Sequence, residues 1–340
     1  MEIRTHIVQS LNDLKKYSDL WTNLYQTGPY DIFQSFDWFE SCCKYINQNN
    51  ELFCILCFEQ DRLIAIAPFH IISSHNGKIL TFIGGALTDY NTILLKNGYS
   101  FNPVWNVIKD VISQFVKIKY NSIWLNHINT FKQEFEQSFI SSPSLKILLK
   151  EQEIAMAIDL PKNKMEFNET IKPDILKKIH YYTRRLSKVP QIQFGYIKKG
   201  SCLETYIPWF RHHKKNLWQK FNMDIPNEMK GEAYFSFLKT VSEKALLHGE
   251  VIIPIIKHKD KIIASGFYFD RNKSLIKYLQ CWDYAYKNYN VGTILDWYMI
   301  QHALNHKYKI FDLGRGGEDY KYKLGAREIF LTNFSLCSGN

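Results

Sequence analysis

Two segments, one in each half of the chain, read alike: CILCFEQDRLIAIAPFHI (54–71) and VIIPIIKHKDKIIASGFYF (251–269). Each is two β-rich apolar runs joined by a short polar turn, Gln-Asp in the first and Lys-Asp in the second. Apolar runs of this length, bounded by turn residues, are strands of a hairpin whose faces are covered by other elements. A chain that carries two such hairpins needs helices to cover both, and the flanking sequence supplies them twice.

In the first half, EIRTHIVQ alternates as a strand, and SLNDLKKYSDLWTNLYQTG follows as helix, with Ser10 as its N-cap and Leu11, Leu14, Leu20, Trp21 and Leu24 on one face. Phe36, Phe39, Cys43 and Ile46 mark a second helix. After the hairpin come the strand KILTFIGG, a helix carrying Val104, Ile108, Val111, Ile112 and Phe115, and the strand NSIWLNHI. The second half runs strand, two helices, three antiparallel strands, helix, strand, with FLTNFSL as a last strand. With 340 residues, the chain suits two domains. We expect an α/β (α+β) protein with an N-terminal domain over 1–158 and a C-terminal domain over 159–340, each a mixed, mostly antiparallel sheet flanked by helices.

Composition narrows the class. No apolar run reaches the 18 residues of a membrane span, and the first twenty residues lack a basic segment followed by an apolar one, so neither a span nor a signal peptide is expected. Peripheral membrane contact stays open. Seven cysteines, an odd number without framework spacing, fit a reducing cytoplasm. Cys54 and Cys57 form a CxxC, but inside an apolar strand, where core packing outweighs zinc binding. No HxxxH, HExxH or Cys/His set is present, and no metal is assigned. His180, His212 and His213 read as packing or surface groups rather than as a base.

Charge is concentrated. The window 171–220 holds 12 Lys and Arg against two acids, Asp174 and Glu204, which equals the whole net charge of +10. A basic face there would attract an anionic partner, such as a phosphorylated donor, RNA or anionic headgroups; the alternative is a solvated helix surface.

The stretch FDLGRGGEDYKYKLGARE (311–328) has the composition of a site. A strand ends in a turn with three glycines and Arg315, and rings and lysines then alternate at Tyr320, Lys321, Tyr322 and Lys323. If this part is extended, the two rings share one side. Upstream, CWDYAYKNYNVGT ends a strand at Trp282-Asp283 and feeds a helix starting near Thr293. Free N–H groups at a helix start bind phosphate.

Antiparallel strands, then a helix, then a parallel strand, in that order, resemble the core of the GNAT acyltransferase fold. The phosphate loop of that fold, Q/R-x-x-G-x-G/A, is matched by Lys287, Asn290, Val291, Gly292 and, at the helix start, Thr293, with Asn290 in place of the middle glycine. FDLGRGGEDYKYKLGA and CWDYAYKNYNVGT resemble the closing and upstream motifs of the CelD-like acyltransferase family. DIFQSFDWFESC, ILKKIHYYTRRLSK and WFRHHKKNLW resemble its N-terminal signature and basic central helices. That family is similar in turn to the Fem-type aminoacyltransferases, which carry two GNAT-like domains.

The resemblance implies a tandem GNAT protein whose C-terminal domain acylates an amine at the domain cleft, with acyl-CoA as donor. The acceptor would be a small-molecule amine or an envelope or polysaccharide precursor, including a nucleotide-linked sugar. It implies Lys323 at the oxyanion, Tyr320 or Tyr322 as proton donor to the leaving thiol, and Asp283 orienting or deprotonating the amine, or else simply holding its loop. Arg315 would pair with the acceptor or with phosphate, and Asp312 would take part in substrate binding or bind Arg315. In the first half, FIGGALTDYN implies an acceptor pocket near Asp89 and Tyr90, against a plain turn. Two rival functions stay open. One is a Fem-type transferase using aminoacyl-tRNA, which the basic window would suit although no RNA-binding motif is present. The other is a binding module of the same fold without turnover. Nothing points to DNA.

Overall fold

The computed structural model describes residues 2–338 except 76, 116–118, 141, 143 and 144. The chain divides into two compact units, residues 1–153 with 330–340 and residues 154–329. The division lies near the boundary expected at 158, but the last strand, expected in the C-terminal domain, joins the first unit from Phe330 onward.

The first unit comprises β1 (Ile3–Val8), α1 (Leu11–Lys15), α2 (Ser18–Thr27), α3 (Phe36–Ser41), β2 (Glu51–Glu59), β3 (Arg62–Ser74), β4 (Gly77–Phe82), β5 (Leu94–Leu95), α4 (Phe101–Phe115), β6 (Ser122–Ile128), α5 (Lys132–Ile140) and the start of β7 (Leu145–Asp159). Ser10 caps α1 through the Asp13 N–H. β1 to β4 pair antiparallel in sequence order, and β6 then lies parallel to β4, with Leu80 opposite Ile123. α4 and α5 bring Trp105, Ile108, Phe135 and Phe139 onto one face of the sheet, against Phe53, Ile55 and Cys57 of β2. Cys54 and Cys57 are fully buried in β2. α5 and β7 escape the sequence reading. α5 anchors on only two buried rings, and the Lys-Glu-Gln-Glu centre of β7 interrupts its alternation.

The second unit holds α6 (Lys164–Thr170), α7 (Pro173–Ser187), β8 (Ile192–Ile197), α8 (Leu203–Lys220), α9 (Asn227–Lys230), α10 (Glu232–His248), β9 (Val251–His258), β10 (Lys261–Arg271), β11 (Ser274–Trp282), α11 (Val291–Asn305), β12 (Ile310–Arg315), α12 (Asp319–Lys323) and the first residues of β13 (Arg327–Ser338). β8 to β11 pair antiparallel in order, and β12 lies parallel to β11 and antiparallel to the end of β7. The hairpin turns of the two units match in conformation as well as position: Gln60 and Lys259 both take positive φ, 53° and 55°. Among the described residues, no helix is long and apolar enough to cross a membrane.

Two features of this sheet bear on function. First, β11 and β12 pair only over Ser274–Ile276 and Ile310–Asp312. Beyond Asp312, its carboxylate accepts the N–H of Gly314 at 2.7 Å, and Gly314 turns to φ +70°, so the ladder stops and β12 bulges away. The rest of β11 is left without β12 as a neighbour. Second, the sheet is covered on both faces. Cys281 on β11 meets the Phe210 carbonyl of α8, while the adjacent Gln280 reaches the Gly292 carbonyl of α11. Adjacent strand residues point to opposite faces, so α8 and α11 lie on opposite faces. α7 packs with α11 through Ile179 and Leu186. The basic window 171–220 is therefore not one face: the Lys and Arg of α7 and those of α8 belong to opposite sides of the sheet.

Candidate active site

The crossover from β11 to α11 builds one wall. Asn290 takes the left-handed conformation (φ 53°, ψ 44°) that asparagine tolerates, and α11 starts directly after it, with no side-chain cap. By position, the N–H groups of Val291, Gly292 and Thr293 have no acceptor within the helix, and the helix dipole adds partial positive charge there. The Thr293 hydroxyl donates to Asn290 Oδ1 at 3.1 Å. Gly292 serves packing as well as chain reversal: a Cβ on it would stand 3.1 Å from the Trp282 ring and 3.4 Å from Gln280 Oε1. The Val291 side chain is core. Lys287 lies over the Tyr284 ring, 4.8 Å from its centroid.

Beneath this turn lies a buried polar network. Asp296, one turn into α11, accepts from Lys277 Nζ at 2.8 Å, from the Tyr268 hydroxyl at 2.9 Å and from Gln280 Nε2 at 3.0 Å. Gln280 also donates to the Gly292 carbonyl at 3.0 Å, tying the network to the helix start. The Lys277 ammonium stands 5.2 Å from the Tyr320 ring centroid. Burial works to depress the Lys277 pKa, but Asp296 and Tyr320 outweigh it and hold the amine above the ordinary lysine value. Burial, opposed by Lys277, raises the Tyr320 phenol. Tyr268, Lys277 and Gln280 come from strands and Asp296 and Tyr320 from helices, so the constellation sits on rigid elements.

The stretch 319–323 is helical, not extended, and this corrects the expected arrangement of its rings. Residues two apart on a helix face different ways. Tyr320 turns to Lys277, whereas the Tyr322 hydroxyl donates to Glu328. The lysine between them is the buried one. Lys321, 2% exposed, donates to the carbonyls of Gly314 (3.2 Å), Arg315 (2.6 Å) and Gly316 (3.0 Å) and pairs with Glu318 at 2.8 Å. Its ammonium thus closes the glycine turn. Lys323 pairs with Asp319 and is partly exposed.

A cavity of about 260 Å³ opens between α7, the start of α11 and α12. Of the residues expected at the site, Asn290, Thr293, Tyr320 and Lys323 line it. Lys178 of α7 and Asp296 line it too, and neither stood out in the sequence. The remaining expected residues lie elsewhere. Asp283 caps the turn 284–289 through the Ala285 N–H and lines a different cavity, with His213 and Trp209. Asp312 and Arg315 belong to the β12 bulge. Tyr90 lines a cavity of about 200 Å³ in the first unit, and its carbonyl accepts from the buried Gln34 amide; Asp89 precedes it, half-buried. The signal for the missed network was available: Lys277, Gln280 and Asp296 are isolated polar residues in apolar elements. Among the described residues, no group of three His, Cys, Asp or Glu side chains could hold a metal ion.

Comparison with known proteins agrees with this architecture. Residues 174–322 match the family model of an acetyltransferase (GNAT) domain. Among solved structures, FemX superposes with a TM-score of 0.66 at 9% identity over 98% of this chain and 97% of its own. The C-terminal domain (DUF2156) of a proposed lysylphosphatidylglycerol synthetase from Agrobacterium fabrum gives 0.58 at 10% over 96% and 92%. A conserved protein of unknown function from Bacteroides thetaiotaomicron gives 0.57 at 12% over 99% and 100%. At these identities the likeness is one of fold. No curated protein matches the sequence. The segment that matches the GNAT acetyltransferase domain supplies the lining of the α11 cavity except Lys323 and Leu324, which directly follow it.

Proposed function

We propose that the chain is an N-acyltransferase that takes its acyl group from acyl-CoA at the α11 cavity and passes it to an amine. One observation carries the reading: the uncapped start of α11, Lys178, Lys323 and the Tyr320–Asp296 end of the buried network all line one cavity. Donor phosphates suit the α11 N–H groups and the two flanking lysines. The thioester then extends along the edge of β11 that β12 leaves open, toward Tyr320.

The amine nitrogen attacks the thioester carbonyl and the C–S bond breaks. The Tyr320 phenol, protonated at neutral pH like any tyrosine, gives its proton to the departing thiolate and regains one from the acylated nitrogen. Lys277 and Asp296 hold the ring in place and stabilise the transient phenolate. In this reading Lys323 is a phosphate partner rather than an oxyanion donor, and Asp283 holds its loop. The CelD-like character of 311–328 and the likeness in fold to FemX and to a lysylphosphatidylglycerol synthetase domain favour an amine acceptor of the cell envelope.

Thermal unfolding with acetyl-CoA and with a long-chain acyl-CoA tests the donor. A ligand at a hundredfold excess over its Kd stabilises by about 2.7 kcal/mol. The reading requires a shift with one of them that is lost in Lys178→Glu. No shift with either would reject acyl-CoA and turn the test to aminoacyl-tRNA.

A further inference from the structure

The second unit has a larger cavity, about 820 Å³, apart from the α11 cavity. It lies on the α8 face of the sheet, against β8, β9 and β10. Its floor is apolar, with Ile197, Ile255 and Ile262. One wall is aromatic: Trp209 is half-buried, roughly parallel to the Tyr206 ring at 6.0 Å and 4.8 Å from the His213 ring. Tyr206 is fixed by a hydrogen bond of 2.7 Å between its hydroxyl and Ser265 Oγ, which holds the Trp209 side of the helix against the sheet. His213 Nδ1 is buried without a hydrogen-bond partner.

The rim is charged. Lys198, Lys199, Lys257 and Lys261 border the cavity, and none forms an ion pair among the described residues. Asp260 and Asp283 also border it, and Asp283 accepts the Ala285 N–H on Oδ1, leaving Oδ2 as an acceptor. A bare inorganic anion would need no ring. An acyl chain would gain nothing from four ammonium groups. A flat heterocycle with hydroxyls and an anionic end matches the ring, the carboxylates and the Lys257–Lys261 pair beside them.

We propose that this cavity is a second ligand site, for a nucleoside phosphate, with the base on Trp209 beside the His213 ring, the ribose hydroxyls at the aspartates and the phosphate at Lys257 and Lys261. Bases stack on aromatic side chains regardless of identity, so the site is expected to prefer nucleotides over phosphate more strongly than one base over another. The inference is independent of the donor reading, since it uses the opposite face of the sheet and shares no lining residue with the α11 cavity.

Calorimetric titration of the full chain with AMP, UMP, adenosine and inorganic phosphate tests it. AMP or UMP should bind, with adenosine and phosphate each weaker. Trp209→Leu should weaken AMP by about tenfold or more, with Trp209→Phe keeping most of the affinity. Lys257→Glu with Lys261→Glu should weaken AMP and leave any acetyl-CoA binding intact, and Lys178→Glu should leave AMP unchanged. Should Trp209→Leu not fold, the lysine pair and Trp209→Phe still decide. Absence of heat with both nucleotides at millimolar concentration, phosphate binding as tightly as AMP, or affinity untouched by Trp209→Leu would overturn the proposal. So would one-for-one displacement of AMP by acetyl-CoA, which would make the cavity part of the donor site.

Discussion

Lys277 of β11 and Asp296 of α11 form an ion pair of 2.8 Å, with side chains only 10% and 5% exposed. Two buried charges hold each other, and hydrogen bonds from Tyr268 and Gln280 complete the carboxylate. Removing one partner strands the other. Asp296→Asn or Lys277→Met is expected to cost roughly 3–5 kcal/mol in urea unfolding. The double change to Lys277→Met with Asp296→Leu should cost clearly less than either single, because no charge is left unpaired. Acyl transfer should be lost in all three. A stable double variant that keeps turnover would remove the pair from the mechanism.

Lys321 has a different task from its neighbours. Its ammonium serves three carbonyls of the glycine turn, so Lys321→Met should leave them buried and unserved while keeping the apolar stem. Charged hydrogen bonds contribute about 1.5–3 kcal/mol each and do not add fully, and a loss of about 3 kcal/mol is expected. Lys323→Met, at a partly exposed surface pair, should change stability by less than about 1 kcal/mol. Equal stability losses in the two variants would show that burial does not separate these lysines.

That contrast also shows how far the sequence could be read. The repeated hairpins, the helix starting after Asn290 and the glycine turn follow from local rules: apolar runs with turn residues between them, an αL-tolerant residue before a helix, glycine where φ is positive. The error at 319–323 has a physical cause. Four residues of alternating ring and charge fit one turn of helix as well as a strand, and the carbonyls that decide the matter come from a turn several residues earlier. Lys277 and Asp296 are each an isolated polar residue in an apolar element. Only the crossover, which lays α11 over β11, makes them a pair. The basic window failed for the same reason: two helices adjacent in sequence cover opposite faces of one sheet.

His70 in the first unit carries a pH dependence. It is 2% exposed, its Nδ1 meets the Asn50 amide at 3.2 Å, and burial depresses its pKa from 6.5 to about 4. The unfolded chain therefore binds a proton that the folded chain refuses. Stability is full above pH 6.5 and is lost as pH falls toward 4, by about 3 kcal/mol for this group. His70→Gln should flatten that part of the stability profile, measured as urea midpoints between pH 4 and 7. An unchanged slope in the variant would assign the acid limb to other groups.

Gly292 offers the sharpest link between packing and binding. A methyl group there would press on the Trp282 ring at 3.1 Å and on Gln280 Oε1 at 3.4 Å. The ring is half-buried and can yield only by moving, and Gln280 is the residue that ties the helix start to Asp296. Two effects oppose each other in Gly292→Ala. Alanine favours the helix by up to about 1 kcal/mol, while overpacking costs about 1–3 kcal/mol. Net stability should therefore fall only slightly, whereas acyl-CoA affinity should fall clearly, because a displaced Gln280 shifts the first turn whose N–H groups receive the phosphates. Adding Trp282→Leu removes the ring that the methyl meets and should restore affinity in the Gly292→Ala background. Titration of acetyl-CoA into the single and double variants decides. Rescue identifies the clash as the cause, whereas an affinity loss that persists without Trp282 would mean that the backbone at 292 itself needs glycine beside the bound donor.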